Sequence, residues 1–215
     1  MIKRLLDLGG AHLGLVISLP LLLVLAIMVK LDSAGPVLFT PARVGRDGRP
    51  FRLLKFRSMF VDSDKGSAIT SGGDARVTRI GRIIRPLRLD ELPQLVNVLR
   101  GDMSLVGPRP EAPSIVERYT AEQREVLTVR PGITGPTQLE SLDEAARLPA
   151  DVEPTEYYVR HLLPEKLARD LHYVRTRTFA GDLGILLRTP VALGHVLIAR
   201  RRFSRLLKVT RRRPA

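Results

Sequence analysis

The longest uncharged stretch of the chain runs from Leu8 to Val29 and is strongly apolar. As one straight helix it would just span a bilayer. Pro20 lacks a backbone donor and clashes with the preceding helical turn, so the pattern predicts a break near Ser18 and Pro20. Cations flank both ends of the stretch, so the positive-inside bias gives no clear direction for a simple span and permits both ends on the cytoplasmic face. We therefore predict a re-entrant helix-break-helix hairpin over residues 1–30, in which the Ser18 hydroxyl bonds a freed carbonyl.

Three other interpretations of this stretch stay open. Proline is tolerated in lipid when neighbouring groups satisfy the backbone, which allows a straight transmembrane helix. A cleaved signal peptide would share the basic start and the apolar middle, but the residues after Val29 form a poor cleavage site. A buried core helix is disfavoured because the stretch is longer than a domain of this size usually hides.

After Pro36 the pattern changes to short apolar runs, which predict strands. The runs 37–39 and 51–56 are separated by a turn, residues 46–49, that contains Asp-Gly. This dipeptide is a strong hairpin signal because both central turn residues need positive φ. Residues 60–74 are polar and rich in glycine, and predict a loop. The sequence thus predicts a small antiparallel β-hairpin followed by a loop.

Helical spacing dominates the rest of the chain. A stripe of apolar residues, which Gly101 should end, consists of Leu89, Leu92, Leu95, Val96 and Leu99. Further helices are predicted over about 114–128, 157–177 and 181–209, and Pro164 and Pro190 should bend or start the last two.

The predicted fold is mainly α with a small antiparallel β-hairpin. We divide it into the membrane hairpin 1–30, a main domain 31–190 and a basic, amphipathic C-terminal segment 191–215. The sequence contains no internal repeat.

Composition adds a strong positive charge to this picture. Lys and Arg number 35 against 22 Asp and Glu, for a formal net charge of +13. Such an excess favours anionic partners: nucleic acid, phospholipid or a phosphorylated substrate. Eight of the cations, without an acid, lie in Arg200–Ala215, which indicates either an amphipathic segment on anionic phospholipid or a solvated tail. The absence of cysteine excludes a disulfide scaffold, thiolate catalysis and Cys-ligated metal centres.

An acidic pair, Asp90-Glu91, begins the apolar stripe and follows a run of arginines. Acids at a helix start are favoured by the helix dipole and need no function. The arginines recur every third residue: Arg76, Arg79, Arg82, Arg85 and Arg88. On one face of a helix they would repel one another unless an anion lies among them, and a diphosphate would suit. A stripe that binds lipid headgroups is the alternative.

Two loops rich in proline and glycine offer further cations. In Gly101–Pro110 the prolines on both sides of Arg109 fix the backbone and reduce the entropy lost when its guanidinium is aimed. Arg130–Gly135 combines a cation, backbone donors and a hydroxyl, as phosphate-binding loops do. A structural role is the alternative for both loops.

Other patterns carry less weight. Asp62-Ser63-Asp64 resembles the D-x-D metal motif of nucleotide-sugar glycosyltransferases, although a polar loop explains it more simply. A serine hydrolase elbow is absent from the sequence, and metal-ligand spacing is absent among His12, His161, His172 and His195. Nucleic-acid binding fits the charge but not the aromatic content of 5% without tryptophan.

Taken in order, the motifs of the chain resemble those of the bacterial sugar transferases, a family of small monotopic phosphoglycosyl transferases. The resemblance lies in the order of the segments and covers most of residues 3–190. The matching segments are Lys3-Arg4 with Asp7, the Ser18/Pro20 break, Gly35-Pro36-Val37, Arg43-Val44-Gly45 with Gly48, Lys55-Phe56-Arg57-Ser58-Met59, Leu89–Leu95, Asn97-Val98-Leu99, Gly101–Pro110, Arg130–Gly135, and Asp170 with Tyr173-Val174 and Asp182.

The resemblance implies an enzyme that transfers a sugar 1-phosphate from a UDP-sugar to polyprenol (undecaprenyl) phosphate and releases UMP, with Mg²⁺ as cofactor. It places the catalytic domain on the cytoplasmic face of the bacterial inner membrane. By the same carry-over, Asp90 attacks phosphorus to form a covalent phosphosugar intermediate in a ping-pong sequence, and Glu91 helps to hold the metal. The further implied site residues are Lys55, Arg85 and Arg109 as cations, Asp170 as an acid and Arg130 as a nucleotide contact.

Three positions depart from the family pattern. Pro41 stands where glutamine is common, the segment before Asp90 lacks two customary hydroxyl residues, and the Ser-Pro break is spread over Ser18–Pro20. These changes affect turns and local phosphate contacts but leave the acidic pair intact. The alternative function is a basic membrane-surface or nucleic-acid-binding protein without catalysis. The motifs identify neither the sugar nor the pathway, and a homo-oligomer is left open.

Overall fold

The structure is a computed structural model in which residues 2–61, 74–140, 147–149 and 152–210 are described, with side chains as far as residue 194. It is about 61% helical, which confirms the mainly α-helical prediction. The helices are α1 (Ile2–Asp32), α2 (Arg79–Ile84), α3 (Gln94–Arg100), α4 (Pro113–Val116), α5 (Pro136–Glu140), α6 (Pro154–Tyr157), α7 (Leu163–Thr176) and α8 (Phe179–Thr210). The strands are β1 (Leu38–Phe39), β2 (Ala42–Val44), β3 (Pro50–Arg52), β4 (Lys55–Phe56), β5 (Ser104–Val106) and β6 (Gly132–Thr134).

The predicted hairpin is confirmed. Strands β2 and β3 pair antiparallel, with Arg43 opposite Phe51. In the turn between them Asp47 has φ 57° and Gly48 has φ 75°, as the Asp-Gly signal requires. The outer pair, β1 and β4, is also antiparallel and extends the ribbon towards α1. The ribbon therefore carries the side chains of β2 and β4 into the same region of the domain.

The predicted break in the first helix is not confirmed. Residues Ile2–Asp32 form one helix with Pro20 inside it. The Ser18 hydroxyl donates to the Gly14 carbonyl at 2.6 Å, not to the Val16 carbonyl whose donor Pro20 removes. This bond to the carbonyl four residues earlier is one that serine makes inside a helix. Ser18 therefore belongs to the helix and does not end it. By length and composition α1 is able to cross a membrane.

Both ends of α1 are held by the same domain. At its start, Asp7 Oδ1 accepts from Ser104 Oγ and from the Leu105 N–H, each at 2.9 Å. At its end, the buried guanidinium of Arg57 donates to the carbonyls of Ser33 and Ala34, just past the helix, at 2.6 and 2.8 Å. It also donates at 3.3 Å to the Val29 carbonyl, one of the groups that a helix end leaves open. A wide apolar surface of α1 is exposed between these ends, including Leu13, Val16, Ile17, Leu19, Leu23, Val24 and Ile27.

A parallel strand pair joins the two predicted loops. Strand β5 pairs with β6, with Ser104 opposite Gly132. Close backbone contact requires glycine here, since a Cβ on Gly132 would lie 2.1 Å from the Gly107 nitrogen. Strands of three residues show no hydrophobic period, so the pairing was missed in the sequence.

The helix predicted over about 114–128 is wrong as a continuous element. Helix α4 ends at Val116, and a separate 3-10 turn spans Gln123–Thr128. The Gln123 side chain accepts from the Thr120 N–H, and the Thr120 hydroxyl accepts from the Gln123 N–H. This reciprocal cap starts a new helical turn near Gln123, so the helix predicted over 114–128 is interrupted there.

The two C-terminal helices agree more closely with the prediction. The segment predicted over 157–177 contains a π-helical turn, Tyr158–Leu162, followed by α7. Helix α8 contains Pro190 in its interior and runs past the division drawn at residue 190. The largest buried cluster packs α7 and the turn before it against α4, and includes Ile115, Val116, Tyr158, Leu162 and Leu167.

Replacement of Asp7 by alanine should lower the stability of the domain, because the buried Ser104 hydroxyl and Leu105 N–H would lose their acceptor. We expect a loss of about 2 kcal/mol in the free energy of unfolding. Thermal unfolding of the purified protein measures the effect. Asp7→Asn is the matched control, since it keeps an acceptor oxygen and should lose less. Equal unfolding midpoints for both variants and the parent would contradict this role for Asp7.

Candidate active site

The acidic pair lies on a 3-10 turn, Leu89–Glu91, that separates α2 from α3. The sequence placed these acids at the start of the apolar helix, but α3 begins only at Gln94 and ends, as predicted, at Gly101 with φ 93°. Arg88 precedes the turn in a left-handed conformation, φ 53° and ψ 22°. A residue with a Cβ in this conformation costs about 1–2 kcal/mol, so surrounding contacts must hold it. The turn brings both carboxyl groups into the interior.

Glu91 is held by two arginines. Arg88 Nη1 lies 3.3 and 3.4 Å from the two carboxylate oxygens, and Arg109 Nη2 lies 3.3 Å from Oε1. Burial alone would raise the pKa of Glu91, but Arg109 and Arg88 hold it below its usual range. Glu91 is therefore a fixed anion at the centre of the site.

Asp90 differs from its neighbour although the two are adjacent in the chain. It is buried, with 7% of its surface exposed. Burial raises the pKa of Asp90 to about 6, and the charge of Glu91 adds to the rise. Lys55 and Arg85 oppose this shift as nearby cations. The carboxylate form of Asp90 thus prevails at neutral pH but is more basic than an ordinary aspartate.

Lys55 reaches the pair from β4. Burial lowers the pKa of Lys55 to about 8, and Asp90 counteracts part of the fall. Its ammonium group also lies 5.2 Å from the centre of the Phe39 ring, across the β1–β4 pair. A cation–π contact of this kind partly replaces lost water. Lys55 is therefore a cation at neutral pH with a weak hold on its proton.

Arg85 completes the group of cations from the end of α2. Its Nη1 donates to the buried Ser58 hydroxyl at 3.2 Å. The close approach of α2 to Ser58 depends on Gly81, where a Cβ would lie 2.1 Å from the Ser58 carbonyl oxygen. Four cations, Lys55, Arg85, Arg88 and Arg109, thus act on two carboxylates. The excess of two positive charges suits a doubly charged anion such as a diphosphate.

Asp170 belongs to an adjoining buried cluster. Its carboxyl group accepts from the Thr137 hydroxyl at 2.5 Å and from the backbone N–H of Arg109. Burial raises the pKa of Asp170 to about 6, against the effect of the Thr137 bond. Asp170 therefore supports the backbone that carries Arg109, and the contacts of the described residues do not join it to the acidic pair.

Glu111 forms the other half of this cluster. Its Oε1 accepts from the Tyr158 hydroxyl, and the buried ammonium of Lys166 lies 3.5 Å away. Lys166 also donates to the Tyr158 hydroxyl at 2.6 Å. Burial would raise the pKa of Glu111, but Lys166 and Tyr158 hold it below its usual range. Arg43 on β2 lies between the cluster and the site: burial lowers the pKa of Arg43, Glu111 opposes the fall and Arg109 adds to it.

Arg130 does not join the acidic pair in the described contacts. Its Nε donates to the Gly101 carbonyl at 2.7 Å, at the far end of α3. The loop Arg130–Gly135 instead supplies β6, which supports β5 and the loop to Arg109. The structure thus gives Arg130 a structural contact and leaves its predicted nucleotide contact untested.

The arginine run does not follow one helical face, because α2 covers only Arg79–Ile84. Arg76 pairs with Asp74 at 2.6 Å, and Arg79 and Arg82 lie on the exposed surface. Only the last two members, Arg85 and Arg88, reach the acidic pair. No pattern in the sequence indicated that Arg88 holds Glu91, because this contact depends on the left-handed backbone of Arg88. Nor did any pattern indicate the interaction between Arg43 and Glu111, which depends on packing between distant segments.

The chemistry of the donor set bears on Mg²⁺. This ion keeps several waters and is often bound by one or two carboxylates together with substrate phosphates. Among the residues that the structure describes, no group of three or more His, Cys, Asp or Glu could hold a metal. Asp90 and Glu91 fit Mg²⁺ if a bound phosphate supplies the other ligands. Asp62-Ser63-Asp64 lies outside the described residues, as does the His195 side chain.

Comparison with known proteins identifies the family of the chain. The bacterial sugar transferase model matches residues 1–195, so the chain belongs to the bacterial sugar transferase family. It is 43% identical over 195 residues to a UDP-glucose:undecaprenyl-phosphate glucose-1-phosphate transferase of Caulobacter vibrioides, covering 89% of this chain and 69% of the relative.

Two other relatives differ in length. The chain is 40% identical over 192 residues to a UDP-N-acetylgalactosamine-undecaprenyl-phosphate N-acetylgalactosaminephosphotransferase of Aeromonas hydrophila, covering 87% of this chain but 42% of the relative. It is 36% identical over 200 residues to the exopolysaccharide production protein PSS of Rhizobium leguminosarum bv. phaseoli, covering 89% of this chain and 94% of the relative. The chain therefore spans most of some relatives and less than half of others.

Proposed function

We propose that the chain transfers a sugar 1-phosphate from a UDP-sugar to polyprenol phosphate and releases UMP. The observation that carries the proposal is the buried Asp90-Glu91 pair surrounded by four cations. Names of relatives in the same family support the two substrates. A protein that only binds nucleic acid would have no use for two buried carboxylates, which repel phosphate.

In the first step, an Asp90 carboxylate oxygen attacks the sugar-bearing phosphorus of the UDP-sugar. A bond forms between that oxygen and phosphorus, and the bond from phosphorus to the bridging oxygen breaks. UMP leaves with the bridging oxygen and its electron pair. The high pKa of Asp90 suits this role, because a more basic oxygen is the better nucleophile.

In the second step, a phosphate oxygen of the acceptor attacks the same phosphorus. The bond to Asp90 breaks, the carboxylate is regenerated, and the sugar becomes linked to polyprenol through a diphosphate. Two separate displacements let the water-soluble donor and the lipid acceptor use one site in turn. This ping-pong order explains how a single small site serves two substrates of opposite solubility.

The cations solve the electrostatic problem of the reaction. Attack of a carboxylate on a diphosphate brings negative charge onto negative charge. Arg85, Arg88, Arg109 and Lys55 would bind the phosphate oxygens and stabilise the charge that develops on the leaving UMP. Mg²⁺ held with the help of Glu91 would supply further neutralisation of the phosphates. Asp170 would keep the Arg109 backbone in position through its hydrogen bond.

The proposed membrane location rests on α1. Its apolar surface is exposed while both of its ends are bonded to one domain. A helix that carried its ends to opposite sides of a bilayer would have to release one of these attachments. We therefore propose that α1, although it is one helix, bends at Pro20 in lipid, so that it enters the bacterial inner membrane from the cytoplasmic face and returns to it.

The covalent intermediate is testable by intact-protein mass spectrometry after addition of UDP-sugars, including UDP-glucose and UDP-N-acetylgalactosamine. The protein should gain the mass of one phosphosugar and release one UMP. Asp90→Asn should form no adduct, because an amide is a poor nucleophile at this position. Asp47→Asn, the same change in an exposed turn, is the control and should retain the adduct. An adduct that persists in Asp90→Asn would refute the nucleophile assignment.

The affinity for UDP should fall as the pH rises through about 8, because Lys55 loses its proton there and its charge with it. The loss should reach about ten-fold, the value of one charge-assisted hydrogen bond. Calorimetric titration of UDP over this pH range measures the effect. Lys55→Arg is the matched control and should abolish the dependence, since arginine stays charged. A slope that is unchanged in Lys55→Arg would assign the titration to another group.

The topology of α1 is testable with single cysteines, since the chain has none of its own. Ile2→Cys and Leu31→Cys place thiols at the two ends, where 68% and 82% of the native side chains are exposed. A membrane-impermeant thiol reagent should label both variants in inside-out vesicles and neither in spheroplasts. Labelling of the two positions from opposite sides would establish a straight span and reject the re-entrant arrangement.

A further inference from the structure

The outward face of α2 combines a large apolar residue with two arginines. Ile83 is 56% exposed although it is a large apolar residue, and Arg79 and Arg82 are exposed beside it. At one turn of 3.6 residues these three positions lie on one side of the helix. The opposite side, with Ile80 and Ile84, packs on the buried cluster of α1. The face therefore places one exposed apolar side chain, Ile83, beside two long cations.

This face lies where α1 leaves its exposed apolar region. Asp32 ends α1, and its Oδ2 accepts from the Ile80 N–H at 2.9 Å. The first turn of α2 is thus bonded directly to the last residue of α1. Large apolar side chains on the final turns of α1, Ile27 and Leu31, are 61% and 82% exposed. Whichever path α1 takes through lipid, α2 begins at its point of exit.

The cations of this face are available for a ligand. Within the described residues, the ion pairs and side-chain hydrogen bonds of the arginine run involve Arg76, Arg85 and Arg88 but not the guanidinium groups of Arg79 and Arg82. The cations at the other end of α1 are used differently. Lys3 pairs with Asp182 at 2.6 Å, and Arg4 donates to the Val98 carbonyl at 2.8 Å. The two ends of α1 thus differ in their free positive charge.

We infer that Arg79, Arg82 and Ile83 form a binding face for anionic phospholipid headgroups, with Ile83 inserted among the acyl chains nearest the surface. The inference rests on the membrane location proposed above. Long cationic side chains extend from an apolar position to the headgroup level, and each cation near an anionic surface adds to its attraction. The other reading of the arginine run, a phosphate site, then applies only to Arg85 and Arg88.

The face would also fix the height of the site above the bilayer. Arg85 follows α2 directly as its C-terminal cap and donates to Ser58. A helix of six residues is rigid on this scale, so lipid bound at its outer face positions the cations at its end. The acceptor phosphate lies at the same headgroup level, which brings it to the reacting carboxylate.

A tryptophan introduced by Ile83→Trp tests the inference, because the chain has no tryptophan of its own. The protein is reconstituted in mixed vesicles of phosphatidylglycerol and phosphatidylcholine, and either the anionic or the neutral lipid is brominated on its acyl chains. Bromine on the anionic lipid should quench the fluorescence more strongly at equal total bromine. Adding Arg79→Gln and Arg82→Gln should remove this preference, with local affinity falling about five-fold for each charge lost.

Two controls separate this face from general effects. Arg46→Gln with Arg49→Gln removes two exposed charges from the hairpin turn and should leave the preference intact. Val152→Trp places the probe at an exposed position on another segment, just before α6, and should show no quenching. Equal quenching by both brominated lipids, or none by either, would overturn the inference. UMP release by Ile83→Trp is measured separately in detergent, where the reaction needs no phospholipid face. UMP release together with equal or absent quenching would overturn this inference alone, whereas absence of UMP release would count against the proposed function.

Discussion

The structure depends on the burial of two adjacent carboxylates. A carboxylate taken out of water loses its hydration, and a second one beside it adds repulsion. Asp90 and Glu91 are both buried within one short turn, so no single neighbour in the chain is able to offset them. The cations come instead from four separate segments: β4, the end of α2, the residue before the turn, and the loop after β5. The fold is the arrangement that brings these segments together.

Different local contacts position the cations. Lys55 sits on a strand whose partner supplies the Phe39 ring. Arg85 depends on the contact between Gly81 and Ser58, and Arg109 depends on a backbone bond to Asp170. These contacts belong to different elements of the fold, so each cation is positioned by its own set of neighbours. The same separation allows an anion to enter, because the cations are held by the scaffold and not only by the acids.

Sequence patterns predicted the parts of the fold that depend on neighbouring residues. The Asp-Gly turn and the end of α3 at Gly101 both follow from local conformational preference. Residue patterns singled out the acidic pair, Arg85 and Arg109, and the family resemblance gave them roles and added Lys55 and Asp170. The structure brings the pair together with Lys55, Arg85 and Arg109. The parallel pairing of β5 with β6 and the part of Arg88 escaped prediction, since both depend on contacts between distant segments. The break at Ser18 and Pro20 was predicted because proline lacks a backbone donor and clashes with the preceding turn. The helix continues through these residues, and the Ser18 hydroxyl bonds the Gly14 carbonyl within it.

Two adjacent acids with the same intrinsic chemistry acquire different properties from their surroundings. Arg109 and Arg88 lie directly on Glu91 and keep its pKa low. Asp90 is also buried but has no direct ion pair among the described residues, and its pKa rises to about 6. A separation of this kind assigns roles to paired carboxyl groups. The weaker base suits the holding of a cation, and the stronger base suits attack on phosphorus. The difference in pKa within the pair therefore depends on which carboxylate the guanidinium groups of Arg88 and Arg109 reach.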